Sequence, residues 1–163
     1  VGFIREAKDT NLLSWINKIN KTTTWTTSVC SGSIILAAAG LLKNKKATSH
    51  WGVTHLLKEY GSIPTSERYI QEGKIITAQG VSAGIDMSLY LVSQIIGDEK
   101  AKAYQLFIEY DPKPPFNSGN INKADNPTIE LAKKILSKEA KKDLTIWDIV
   151  KNVQSLIKLK RGK

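Results

Sequence analysis

The chain has 163 residues, 41% of them apolar, and a formal net charge of +9 at pH 7. That is enough apolar content for one domain with a real core. It contains no run of about 18 apolar residues that could form a transmembrane helix, and no signal-peptide pattern at its start. Its single cysteine, Cys30, excludes an intramolecular disulfide and a multi-cysteine metal cluster, and suits a reducing, cytoplasmic setting.

In chain order, apolar residues at helical spacing predict a short helix over 11–19. The threonine-rich run 23–29 reads as a strand, taken as a central parallel strand buried on both faces. Residues 33–42 read as a helix closed by the basic turn Lys43-Asn44-Lys45-Lys46, and 47–50 as a short strand ending at His50. A helix over 52–60 is stopped by Gly61. Strand-like runs at 67–71 and 74–78 flank Glu72-Gly73 as a hairpin or sharp reversal. A long amphipathic helix is predicted over 82–96, with Gly80 and Ser82 at its entry. A further helix over 99–110 and a Pro-rich extended loop over 111–120 follow. Terminal helices are predicted at 128–138 and 146–159. Strands alternating with helices argue for an α/β, doubly wound, mostly parallel sheet with helices on both faces. No internal repeat is visible.

The charge is uneven. Residues 121–163 hold eleven Lys and Arg against five Asp and Glu. Apart from Arg161 these are lysines along helix-like segments, without aromatic–basic interleaving, so they read as a solvated surface and not as a nucleic-acid contact. No Gly-x-Gly-x-x-Gly or Walker loop is present, and no His/Cys/Asp cluster has metal-ligand spacing, so neither a cofactor nor a metal is expected.

The chemistry concentrates at Trp25-Thr26-Thr27-Ser28-Val29-Cys30-Ser31-Gly32-Ser33. A β-prone run ends at Val29, a helix-prone run begins near Ser33, and small residues lie between. This is the layout of a nucleophile elbow with a thiol in place of the usual serine. A helix N-terminus behind the turn favours the thiolate over the thiol. A buried structural cysteine is the plainer alternative. Ser31 follows the cysteine. Its backbone N–H can contribute to an oxyanion hole, and its hydroxyl can orient substrate or cap the helix. His50 ends a strand, and strand C-termini line the ligand crevice in doubly wound folds. That makes it a base, a hydrogen-bond partner or a pocket wall, against the alternative of a structural histidine. Gly80-Val81-Ser82-Ala83-Gly84 turns into a helix at the same edge and shapes the pocket floor. Gly32, Gly80 and Ser82 are therefore the candidate substrate-binding positions. Asp86, one turn into that helix, reads as structural, favoured by the helix dipole. His55 reads as surface.

Five segments occur in order: Ser28–Ser33, Leu36-Ala37-Ala38-Ala39-Gly40-Leu41-Leu42, Ala47-Thr48-Ser49-His50-Trp51, Ile75–Asp86, and Ile108-Glu109-Tyr110-Asp111-Pro112-Lys113-Pro114-Pro115-Phe116-Asn117. Together they resemble the ThiJ/PfpI superfamily, whose fold is that of class I glutamine amidotransferases and is flavodoxin-like. Within it the isonitrile hydratases are most similar. The resemblance covers residues 1–120. It implies a cysteine enzyme, a lyase adding water to an isonitrile to give an N-substituted formamide. Cys30 would be the nucleophile, a small molecule the substrate, and a homodimer the assembly. The hydratase pattern has Thr where Ser31 stands, which keeps the hydroxyl and drops a methyl. The resemblance also places the loop of Pro112, Pro114 and Pro115 near the active-site edge or the dimer contact.

Members of this family begin with a segment that has no counterpart in this chain, carrying the first strands, an acidic partner of the cysteine and a Gly-rich turn. On that basis 1–163 reads as one domain, the C-terminal two thirds of a longer protein or a natural truncation, with 121–163 as its basic helical extension. The strand before Cys30 would then lack neighbours, leaving the chain alone marginally stable and inactive. Other superfamily activities at the same cysteine remain open: glyoxalase, amidase or protease-like, or redox sensing. So does a ligand-sensing domain of an AraC-type regulator.

Overall fold

The computed structural model describes residues 2–142. The backbone divides into two compact units. Phe3–Pro115 is one, and the described residues from Phe116 to Lys142 belong to the other.

The first unit opens with α1 (Gly2–Glu6) and α2 (Thr10–Asn20). Asp9 caps α2, its carboxylate accepting from the Asn11 and Leu12 amides at 2.9 and 3.1 Å. β1 (Thr26–Val29) leads into α3 (Gly32–Ala38). Then come β2 (Lys46–Ala47), a 3-10 helix (Thr54–Tyr60), β3 (Ile63–Pro64), β4 (Tyr69–Glu72), β5 (Ile75–Ala78), α4 (Val81–Ile96) and α5 (Asp98–Phe107). The second unit holds α6 (Asn126–Lys142), capped by Asp125, whose carboxylate accepts from the Thr128 amide at 2.9 Å. The helix expected over 146–159 lies outside the described residues.

β1, β5 and β4 form a sheet in that order, β1 parallel to β5 and β4 antiparallel to it. β2 and β3 form a separate parallel pair. β5 is buried along its whole length, and it divides the core. Ile75 joins Ile34, Leu36 and Ala37 of α3 with Leu42, Ala47 and Leu57 on one face. Ile76 and Ala78 join Ala83 and Met87 of α4 on the other. Helices thus cover both faces of a mixed sheet, and the α/β, flavodoxin-like fold is observed. The hairpin of β4 and β5 turns at Gly73, which takes φ +63°.

Several elements differ from the expectation. α3 ends at Ala38 and not at 42, where the chain turns through Gly40 at φ +80°, and the helix expected over 52–60 is a 3-10 helix over Thr54–Tyr60. β1 starts at Thr26 and not at 23, because Thr22 and Thr23 donate back to the last carbonyls of α2. Among the described residues β1 is also not buried on both faces. Among the described residues it pairs on one side only, and Thr27 and Val29 are exposed. The strand expected to reach His50 stops at Ala47. Thr48 leaves the β2–β3 pair and donates its amide to the Thr77 hydroxyl at 2.9 Å.

Candidate functional site

The register sets Val29 opposite Ala78, so β1 and β5 end level. α3 follows the first and α4 the second. Both helix N-termini therefore lie at one edge of the sheet, on opposite faces, and Cys30 sits at that edge. Its amide continues the ladder, donating to the Ala78 carbonyl at 3.1 Å. Its φ is +60°, the left-handed region. The sharp bend expected of the small residues after the cysteine is taken by the cysteine itself. Gly32 has no positive φ, and a Cβ there would meet the Ser28 Cβ at an ordinary 3.6 Å. The thiol is free and half-buried.

Ser31 is the N-cap residue of α3, yet its hydroxyl makes no capping bond. Among the described residues the amides of Ser31 and Gly32 donate to nothing. Two N–H groups are thus available beside the thiol, as an oxyanion hole requires. Gly80 caps α4 in an extended conformation with open space around its Cα. Ser82, one residue inside α4, is exposed and accepts from the Arg68 guanidinium at 3.4 Å. Gly84 is tighter. A Cβ on it would lie 2.9 Å from the Val29 Cγ1, so α4 can reach β1 only because residue 84 has no side chain.

His50 lies beside the elbow in the chain segment whose Ser49 hydroxyl donates to the Cys30 carbonyl at 2.9 Å. The imidazole does not join the thiol. Among the described residues no hydrogen bond links His50 to Cys30. The His50 Nδ1 accepts from the Gly52 amide at 3.2 Å, and the ring leans on Trp51 with centroids 5.4 Å apart. Burial holds the imidazole below its ordinary pKa, which keeps it neutral at pH 7. His50 is placed as a neutral hydrogen-bond acceptor, and among the described residues no contact makes it a base for Cys30.

Three side chains at this edge carry contacts that the sequence reading missed. Asp86 is more than a charge favoured by the helix dipole. It accepts from the Arg68 Nε at 2.5 Å and from the Tyr110 hydroxyl at 2.6 Å. The hydrogen bond to Asp86 and partial burial raise the Tyr110 phenol above its ordinary pKa. This triad ties the start of β4 and the chain beyond α5 to the first turns of α4. Ser49 is the third omission after Arg68 and Tyr110. Tyr110 and Ser49 fell inside the segments quoted for the resemblance, but nothing local marks any of the three. Their partners lie 18 to 24 residues away in sequence.

Among the described residues no helix is long and apolar enough to cross a membrane, and no group of three or more His, Cys, Asp or Glu is placed to hold a metal ion.

The DJ-1/PfpI family matches residues 4–94, which include the elbow, His50 and the start of α4. An isonitrile hydratase of Pseudomonas putida is 39% identical over 127 residues, spanning 78% of this chain and 56% of that protein. The HTH-type transcriptional regulator CdhR of Pseudomonas aeruginosa is 34% identical over 92 residues, spanning 55% of this chain and 27% of the regulator. The chain thus covers about half or less of these curated relatives. Among solved structures, a ThiJ/PfpI family protein from Pseudomonas syringae superposes with a TM-score of 0.80 at 39% identity, covering 86% of this chain and 58% of that one. Schizosaccharomyces pombe DJ-1 superposes at 0.56 with 21% identity, over 68% of this chain and 57% of that one, a likeness of fold. With more than half of its length matched, the chain belongs to the DJ-1/PfpI family.

Proposed function

We propose that this chain is the cysteine-bearing part of an isonitrile hydratase-like enzyme, a lyase acting on a small molecule as a homodimer in the cytoplasm. The observation that carries the activity is the 39% identity to an isonitrile hydratase over most of the chain. The left-handed elbow with two unpartnered amides supports Cys30 as the reacting group.

In this reading the Cys30 thiolate attacks the terminal carbon of R–N≡C. A proton is delivered to that carbon, giving the thioimidate R–N=CH–S–Cys. Water then adds to the same carbon, the C–S bond breaks, and the thiolate leaves with R–NH–CHO released. In this proposal the Ser31 and Gly32 amides, which have no partner among the described residues, donate to partial negative charge on the adduct. The Ser31 hydroxyl orients the substrate or the water. Gly80 and Ser82 border the site from the α4 side, with His50 as a neutral wall. Among the described residues no acid hydrogen-bonds to Cys30. The proton donor in this proposal belongs to the part of the longer relatives that the chain does not span.

The test is formamide production from an alkyl or aryl isonitrile by a protein that joins this chain to the part its relatives have beyond it, followed by mass spectrometry, with Cys30→Ser as the control. Formamide that depends on Cys30 supports the reading. A thiol that alkylates readily while no isonitrile is consumed points to another activity of the family. The similarity to CdhR favours a ligand-sensing domain as the second reading. Saturable small-molecule binding that survives Cys30→Ser, without turnover, would select it.

A further inference from the structure

We propose that Ser49 is a positioning residue whose buried hydroxyl, assisted by that of Ser33, clamps the Cys30 carbonyl and so holds the elbow in its left-handed conformation. The inference rests on Cys30 being the reacting group. Its test separates the two claims.

A non-glycine residue at φ +60° persists only where its surroundings over-determine it. The Cys30 amide is fixed by the Ala78 carbonyl. Its carbonyl has no backbone partner among the described residues, because the Ile34 amide, which starts the next turn, donates to the Ser31 carbonyl at 3.1 Å instead. Two side-chain hydroxyls take that place. Ser49 Oγ donates at 2.9 Å from outside the elbow, and Ser33 Oγ donates at 3.4 Å from the following helix. Both serines are fully buried, at 0% exposure, so water cannot substitute for either. Ser33 moves with the elbow and cannot anchor it. Ser49 can, because its own segment is held from elsewhere. Thr54 Oγ1 donates to the Ser49 carbonyl at 3.0 Å, and the amide of Thr48 donates to Thr77 of β5 at 2.9 Å. The Ser49 clamp therefore references the peptide of the reacting cysteine to the central strand. Without it the carbonyl keeps only the longer bond from Ser33, which moves with the elbow, and rotating the Cys30 peptide relieves the positive φ.

The experiment uses the full chain and measures the second-order rate of Cys30 with iodoacetamide at pH 7, well below the unfolding midpoint, with isonitrile turnover by the longer protein alongside. Ser49→Ala is expected to slow alkylation by about tenfold, the kinetic equivalent of one net hydrogen bond, and to lower kcat without raising KM. Ser33→Ala, which removes the longer bond, is expected to slow it less. Ser49→Thr keeps the hydroxyl and is expected to restore the native rate. A residue that only fills space would change the unfolding midpoint and leave the alkylation rate alone. Native-rate alkylation in Ser49→Ala overturns the clamp while the reacting-group reading stands. If Ser49→Ala does not fold, Thr54→Val, which removes the hydroxyl that holds the Ser49 carbonyl, takes its place: slowed alkylation supports the clamp and native-rate alkylation overturns it. Cys30 reacting no faster in the native wild-type chain than in urea overturns the reacting-group reading, and the clamp with it.

Discussion

At the scale of single residues, two backbones decide the geometry around the thiol. Cys30 accepts a left-handed conformation that costs a side-chain-bearing residue about 1–2 kcal/mol. Gly84 takes the opposite role, lending its missing side chain so that α4 can press on Val29, the residue just before the elbow. Gly84→Ala sets two effects against each other. Alanine in a helix interior is favoured over glycine by about 0.5–1 kcal/mol. A methyl 2.9 Å from Val29 Cγ1 forces that side chain or the helix to move, and such overpacking costs about 1–3 kcal/mol. Both Val29 γ-carbons lie within 3.1 Å of the new Cβ, so one rotamer change does not clear it. Gly84→Ala is therefore expected to destabilise the chain by about 1 kcal/mol, the balance of those terms, read as a lower urea midpoint with an unchanged m-value. A variant more stable than wild type would show that α4 shifts freely on β1.

At the scale of elements, β1 joins a paired edge to an open one. The register directs the amides of Ser28 and Cys30 toward β5 and leaves those of Thr27 and Val29 on the outer side. Among the described residues nothing pairs there. Hydrogen exchange of the 163-residue chain at low concentration is expected to protect Ser28 and Cys30 and to leave Thr27 and Val29 fast. Protection of Thr27 and Val29 that grows with concentration would show the edge pairing with a second copy, the hazard of an exposed strand. How far such features are legible in sequence depends on range. The β4–β5 hairpin was readable, because Glu72-Gly73 sits between two β-prone runs and Gly73 supplies the required φ. The elbow was readable, since strand, small residues and helix are contiguous. The end of α5 was not. The run expected to continue to Tyr110 stops at Phe107, and Glu109 takes φ +50° so that the Tyr110 hydroxyl reaches Asp86. That contact, like the one from Ser49 to Cys30, joins residues whose proximity exists only after the chain has folded.

At the scale of the whole molecule, folding stability should carry the mark of His50. Its imidazole is held below the ordinary value by burial, so the folded state binds the proton less readily than the unfolded chain, whose histidine titrates near pH 6.5. Such a group's contribution is fully present above pH 6.5 and is lost as pH falls from there through the lowered folded value. The local chemistry agrees in sign, because His50 Nδ1 accepts from the Gly52 amide and protonation would face a donor with a donor. The net charge of +9 complicates any simple acid titration, because protonating carboxylates adds further positive charge to a molecule already repelling itself. A window between pH 7.5 and 5.5 avoids this, since it lies above the ordinary range of carboxyl groups. Two of these are held lower still, Asp125 by the Thr128 hydroxyl and amide and Glu130 by Lys133. Across that window the urea midpoint of the wild-type chain is expected to fall, and that of His50→Gln, which keeps a hydrogen-bonding side chain without a titrating ring, to fall less. Equal slopes would mean that His50 is protonated as easily in the folded chain as in the unfolded one. The neutral wall assigned to it beside Cys30 would then have to be given up.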